Sequence, residues 1–253
     1  MAVKFTINKN GVLEKAELIN EMGVVIPDRV RGAGDREYCD FSNLTAVNIP
    51  GSATSIGAGA FSGCDWLAGA EIPGSVTRIG DKAFYDCYSL AAVTLPDSVT
   101  EIGEDAFADC NSLASAVLSD NITSIGERAF AWCESLTELT VPKSAASICD
   151  RTFYACSLLA DVTIPDGIID IGSEAFSYCG SLRSVEIPKS VTLIGEYAFE
   201  WCRSLTSVTI ANGNTEVKIN AFANCSDELI IHAPAGSCAE RYAVGNDIKF
   251  ETI

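Results

Sequence analysis

Histidine is almost missing from this chain: His232 is the only one in 253 residues. It stands in Ile230-Ile231-His232-Ala233-Pro234 near the C-terminal end, and no cysteine is paired with a second histidine. No G-x-S-x-G elbow and no phosphate-cradling glycine loop is present either. Basic residues are scarce too, 17 against 34 acidic ones, which leaves a formal net charge of −17. That balance argues against nucleic acid and anionic membrane surfaces as partners. No window of about 18 apolar residues exists, so no helix is expected to span a membrane. Met1-Ala2-Val3-Lys4 is not followed by an apolar stretch of the secretory kind, so the chain reads as cytoplasmic if Met1 is the native start. Cysteine is plentiful, 11 residues, yet no two lie within the C-x₂₋₄-C spacing that structural zinc requires.

What the chain does have is a period of 23 residues. Cysteines stand at Cys64, Cys87, Cys110, Cys133, Cys156, Cys179, Cys202 and Cys225. Phenylalanines run in step from Phe61 to Phe222, and leucines from Leu44 to Leu205. The unit L-x-x-V-x-I-P-x-S-V-T-x-I-G-E-x-A-F-x-x-C-x-S repeats eight times between residues 44 and 227 without insertion or deletion. Self-similarity of this kind marks a solenoid.

Each part of the unit has a physical reading. In L-x-x-V-x-I the apolar residues alternate as in a strand buried on one face. The proline that usually follows (Pro50, Pro73, Pro96, Pro142, Pro165, Pro188) offers no N–H to a ladder and ends the strand. A second short extended piece, V-T-x-I, comes next. The glycine after it (Gly57, Gly80, Gly103, Gly126, Gly172, Gly195) suits a turn at positive φ. An acidic residue there, as in Asp81, Glu104, Glu127 and Glu196, suits a helix N-terminus. A-F-x-x-C-x-x-L has helical spacing, so a short helical or 3₁₀ segment is expected to close each coil. One coil cannot bury its apolar face alone, but stacked coils about 4.8 Å apart can. The expected fold is an α/β solenoid: a parallel sheet on one face, short helical segments opposite, and Leu, Phe and Cys columns inside.

The ends read as caps of one continuous domain. Residues 1–43 carry Val3, Phe5 and Ile7 in alternation and the turn signal Asn10-Gly11. They are expected to form a β-hairpin and a degenerate first coil with Ile26, Val30, Gly34 and Tyr38 in frame. Residues 228–253 carry a capping box, Ser237 and Glu240, with Gly245 just beyond a short helix. A last strand over 248–253 closes the sheet edge. Neighbouring ladder thiols about 4.8 Å apart on parallel vectors do not meet disulfide geometry and are expected as buried free thiols. Cys39, Cys149 and Cys238 lie off the ladder and are the more reactive candidates.

The I-P, I-G, A-F-x-x-C and S-L elements of all eight units resemble the BspA-type leucine-rich repeats of bacterial surface proteins. Asn10-Gly11-Val12-Leu13 with Val24-Val25-Ile26-Pro27 resembles the family's N-terminal segment. Gly236-Ser237-Cys238-Ala239-Glu240-Arg241-Tyr242-Ala243 with Ile248-Lys249-Phe250 resembles its C-terminal one. The resemblance implies a right-handed leucine-rich-repeat superhelix, a non-enzymatic role in protein recognition or adhesion, and a cell-surface or secreted location. Unit 5 departs most from the pattern, with Cys149 for Gly, Thr152 for Ala and Leu158 for Ser. Unit 8 has Ala211 for Pro, Asn214 for Val and Lys218 for Gly.

No catalytic, metal or cofactor site is expected. The 34 acidic residues read as solvated surface, with a glycosidase pair as the alternative to them. Two faces are candidates for binding. The strand face offers Glu71, Thr94, Thr140, Thr163, Glu186 and Thr209, where plain β-propensity of threonine competes as the explanation. The column before the ladder cysteine offers Trp132, Tyr178 and Trp201, with Tyr85, Tyr88 and Tyr154 in adjoining columns. Exposed rings there suit a binding hot spot, whereas rings folded over the coil edge would only add core. A protein partner is the leading expectation and a glycan the second. A passive spacer with no dedicated ligand is the alternative.

Overall fold

The computed structural model describes residues 44–253 in full. Ahead of them it describes the strands Val3–Ile7, Val12–Leu18, Val24–Val25 and Gly32–Ala33. The expected Asn10-Gly11 turn, the in-frame residues Ile26, Val30, Gly34 and Tyr38, and Cys39 lie outside the described residues.

Coils 1 to 8 start at Leu44, Leu67, Leu90, Leu113, Leu136, Leu159, Leu182 and Leu205, and each turns through three faces. The first face is a strand of three or four residues, such as Ala92–Thr94, with the pattern exposed, buried, exposed. The proline that follows turns the chain, and its carbonyl accepts the N–H three residues on, as from Val99 to Pro96 at 3.0 Å. The second face is a two-residue strand, such as Glu101–Ile102, paired in parallel with its equivalents in the coils on either side. Val24–Val25 and Gly32–Ala33 pair in the same register with coil 1, so a ninth coil precedes the regular eight. Strands Val3–Ile7 and Val12–Leu18 pair antiparallel, and the latter extends the second face beyond that coil. At the other end Ile230–Ala233 and Lys249–Thr252 prolong the first face in parallel.

The third face differs from the expected helix. A-F-x-x-C folds as consecutive turns rather than an α or 3₁₀ helix. Alternate N–H groups turn inward and outward. In coil 2, Ala83, Tyr85 and Cys87 donate to carbonyls three residues back, while Lys82, Phe84 and Asp86 donate to Glu104, Ala106 and Ala108 of coil 3. This alternation needs two left-handed residues per coil, Lys82 at φ 57° and Asp86 at φ 59° in coil 2. The helical spacing was real, but each second hydrogen bond was diverted to the neighbouring coil. The acidic residue after glycine therefore caps no helix. Asp81 and Asp150 instead accept backbone N–H groups of the next coil, from Glu104 at 3.0 Å and from Ser173 at 2.7 Å.

The glycine column is also explained differently than expected. Gly80, Gly103, Gly126, Gly172 and Gly195 do not adopt positive φ. They are glycine because the previous coil's backbone passes too close: a Cβ on Gly126 would lie 2.6 Å from the Glu104 nitrogen. That approach lets each of the five glycine N–H groups donate to an isoleucine carbonyl one coil back at 2.8 to 2.9 Å.

Coil 5 shows what happens without it. Cys149 makes no equivalent bond to Ile125, and Ala146 lacks the hydroxyl by which Thr77, Thr100 and Thr123 bind the coil before. Both sheets are interrupted between coils 4 and 5. The Phe130–Phe153 ring separation there is 5.8 Å, against 5.1 to 5.3 Å along the rest of the stack. Lys218 also replaces glycine but keeps its bond at 3.0 Å. No further strand follows it on that sheet, where the C-terminal helix packs instead.

Inside, the Phe and Leu columns and the isoleucines from Ile56 to Ile194 on the second face are buried. Each burial contributes about 1.5–3 kcal/mol. The ladder cysteines are free thiols, as expected. Their place is fixed by hydrogen bonding: each Sγ–H from Cys87 to Cys225 donates to the carbonyl of the phenylalanine one coil back, at 3.1 to 3.3 Å. At the C-terminal cap the helix Cys238–Gly245 starts at Ser237, whose hydroxyl accepts the Glu240 N–H at 3.0 Å. Gly245 is its last residue rather than lying beyond it, and Asn246 is the cap. The Glu240 carboxylate reaches back to Gly236 N–H at 2.5 Å rather than to Ser237.

Two measurements test this packing. Gly126→Ala should destabilise by ~1–3 kcal/mol, because backbone rather than a flexible side chain must yield. Cys149→Gly should be neutral or stabilising, and hydrogen exchange at residues 146 and 149 should slow as the missing bonds form. A loss beyond ~1 kcal/mol would mean that the fifth coil has a different turn or that Cys149 packs specifically. The thiols give a pH signature. Burial pushes Cys156 and Cys225 up to about 12, while unfolded thiols ionise near about 8.5. The folded chain therefore keeps protons that the unfolded chain loses, so this stability is complete below pH ~8.5 and declines above it. Between about pH 9 and 11, Cys156→Ala should flatten the fall of unfolding free energy by up to ~1.4 kcal/mol per pH unit. An unchanged slope would count against a buried neutral thiol.

Candidate recognition surface

The column before the ladder cysteine is one of the two left-handed columns of the third face. It runs Gly63, Asp86, Asp109, Trp132, Ala155, Tyr178, Trp201, Asn224, with φ between 57° and 72° throughout. Glycine, aspartate and asparagine are the residues that tolerate this conformation, whereas a bulky side chain costs about 1–2 kcal/mol there. Five of the eight coils follow that preference or carry the small Ala155. Coils 4, 6 and 7 place an indole or phenol on it instead.

The rings lie on the surface and touch. Trp132 is 43% exposed and Tyr178 is 44% exposed, while Trp201 is half-buried. Tyr154 fills the gap that Ala155 leaves, so the rings form an unbroken row. Trp132 meets Tyr154 edge-on at 5.3 Å, Tyr154 meets Tyr178 edge-on at 5.5 Å, and Tyr178 stacks on Trp201 at 6.0 Å. The Arg203 guanidinium covers the far end, 4.9 Å over the Trp201 ring. The sequence placed Tyr154 beside this column without showing that it joins the row. A signal for the strain was present nonetheless: the aromatics alternate with Gly, Asp and Asn, the residues of a left-handed column.

Beyond Trp132 the same column becomes acidic. Partial burial, with the neighbouring carboxylate charges adding to it, pushes Asp86 and Asp109 above the ordinary carboxylate range. The Tyr88 and Tyr85 hydroxyls beside Asp86 and Asp109 partly offset that rise, and among the described residues neither aspartate has an ion-pair partner. Carboxylates nearby are matched by cations: Asp105 by Arg128 at 2.7 Å, Glu104 also by Arg128, and Glu174 by Arg151 at 2.6 Å.

On the strand face Glu71, Thr94, Thr140, Thr163 and Glu186 are exposed and Thr209 is half-buried. Where the first sheet is interrupted after coil 4, a groove of about 320 Å³ opens, lined by Ser115, Val117, Glu138, Thr140, Asp161 and Thr163. Only Thr140 and Thr163 of the expected residues are brought together in it. His232 sits in the cap, its Nδ1 3.4 Å from Glu251. Cys149 is half-buried, and Cys238 lies under the Arg241 guanidinium at 3.1 Å. Among the described residues no group of three metal-ligating side chains converges, and no helix is long and apolar enough to cross a membrane.

Stacked 23-residue coils with parallel strands and a Leu, Phe and Cys interior define a leucine-rich-repeat solenoid. Residues 31–157 and 123–235 match the BspA type leucine rich repeat region in six copies. The chain therefore belongs to the BspA-type leucine-rich-repeat family. Among solved structures it is similar to a leucine-rich repeat protein from Bacteroides ovatus, 25% identical with a TM-score of 0.73, covering 99% of this chain and 75% of that one. The leucine-rich repeat protein of T. pallidum is 27% identical with a TM-score of 0.64, covering 71% of this chain and 87% of that one. The pneumococcal vaccine antigen PcpA shares the fold at 14% identity, with a TM-score of 0.51 over 91% of this chain and 79% of that one. No curated protein gives a significant match.

If the rings serve something other than folding, their replacement should be nearly free. Trp132→Asn and Trp201→Asn remove ring contacts of about 0.5–1.5 kcal/mol but relieve a comparable strain. Their melting temperatures should stay within about 4 °C of the wild type. Phe176→Ala, in the core, should lose ~3–5 kcal/mol. Asn variants that melt as early as the Phe variant would make the row a part of the core.

Proposed function

We propose that this protein is a non-catalytic recognition module that binds a protein partner through the row Trp132, Tyr154, Tyr178 and Trp201. The carrying observation is the strained column: aromatic residues stand where the coil geometry favours Gly, Asp or Asn, and they expose their rings there. Strain kept at surface residues supports a functional reading. Tyr and Trp on a surface are also the residues that dominate binding hot spots. A passive spacer gives no reason for this placement. The strand face, with Glu71, Thr94, Thr140, Thr163, Glu186 and Thr209, is the second candidate, supported by the groove over Thr140 and Thr163.

The test compares the wild type with Trp132→Asn/Tyr178→Asn/Trp201→Asn on peptide and glycan arrays. Wild-type signals on peptides should fall by more than about tenfold in the triple variant, equivalent to losing at least ~2 kcal/mol. Identical array profiles, with both proteins folded, would remove the row from any binding role.

A further inference from the structure

The recognition reading leaves the chemistry of the partner open, and the charges along the column narrow it. From coil 2 to coil 7 the column presents Asp86 and Asp109, then Trp132, then Tyr154 standing in for Ala155, then Tyr178 and Trp201. Asp65, Asp86 and Asp109 act on one another electrostatically, and no cation of the described residues pairs with them. The paired carboxylates Glu104, Asp105 and Glu174 show that arginines are available on this face and are used one column away. At the opposite end Arg203 lies on Trp201. The surface is thus negative over coils 2 and 3, carries the rings beyond, and is mixed in charge at coil 7, where Glu200 and Arg203 flank Trp201.

We propose that the occupant, if the recognition reading holds, is an extended peptide segment with arginine or lysine at one end followed by apolar or aromatic side chains. Its basic end lies against Asp86 and Asp109 and its remaining side chains lie along the rings; at the far end Arg203 offsets Glu200, so the aspartates set the direction. Five coil steps of about 5 Å separate Asp86 from Trp201, the reach of about eight extended residues. A guanidinium suits both halves of the site. It pairs with carboxylates in a planar fork and stacks on ring faces, as Arg203 does on Trp201. A linear glycan fits less well. The edge-on contacts, at 68° and 61° between planes, leave no coplanar platform for successive sugar rings, and a neutral sugar gives the unpaired aspartates no counter-charge.

The experiment uses a labelled octapeptide with two arginines at one end followed by alternating glycine and tryptophan. Three comparators accompany it: the same peptide with citrulline for arginine, the peptide with its arginines moved to the opposite end, and a chito-oligosaccharide. Fluorescence anisotropy is read on the wild type, on Asp86→Asn/Asp109→Asn, and on the triple aromatic variant. Asparagine suits the left-handed column, where Asn224 already stands, so both variants should fold. The arginine peptide should bind, weaken with salt, and lose about tenfold or more with citrulline or with Asp86→Asn/Asp109→Asn. The citrulline peptide should be indifferent to the aspartates, the reversed peptide should bind more weakly, and the triple aromatic variant should bind none of them well. Equal binding of arginine and citrulline peptides, indifference to the aspartates, or preference for the oligosaccharide overturns the proposal. If the octapeptides fail while the array difference between wild type and triple aromatic variant persists, the cationic partner is wrong and the recognition row stands. If that difference is absent too, both readings fall.

Discussion

The structure depends on one hydrogen-bond ladder. On the turn face every coil donates three backbone N–H groups to carbonyls of the next, from Gly59, Phe61 and Gly63 in coil 1 to Tyr197, Phe199 and Trp201 in coil 7. It is unbroken over all seven junctions, including the one where both sheets open. Coils that stay joined along one edge and part along the other two behave as leaves on a spine. The ladder fixes pitch and register, the glycines allow close approach, and the cysteine thiols satisfy the second lone pair of the phenylalanine carbonyls.

The same ladder dictates the left-handed residues. Sending alternate N–H groups outward is possible only if two residues per coil sit at positive φ. The fold therefore carries two rows where most side chains are costly, with the cost spread over many coils. One row accepts charged and polar residues such as Lys82, Arg128, Arg151 and Glu174, which are then spent on ion pairs between coils. The other carries aspartates and rings.

The period, the buried columns, the strand at L-x-x-V-x-I and the free thiols were legible because each follows from side-chain type and spacing. The turn face was not. A-F-x-x-C has the spacing of a helix, and nothing local reveals that half of its amides find partners 22 residues away. Glycine was assigned the wrong reason for a related cause: its tolerance of positive φ is a local property, whereas the demand on Gly126 comes from the backbone of Glu104 in another coil. Cys149 was recognisable as an exception, but that it coincides with the opening of both sheets follows only from stacking. Trp132, Tyr178 and Trp201 were visible as a column, and Tyr154 joined them only when Ala155 proved too small to keep the rings apart.

A constant step between coils turns the solenoid into a ruler with one graduation per repeat. Groups on a given column can change their separation only by whole coils. Duplicating a unit between coils 3 and 4 would move the aspartates one step further from the rings and leave the distances within coils 1–3 and within coils 4–8 intact. Deleting one would shorten the same gap by the same step. Diversity in what such a surface measures can therefore arise by copying or losing units, without redesigning any single coil.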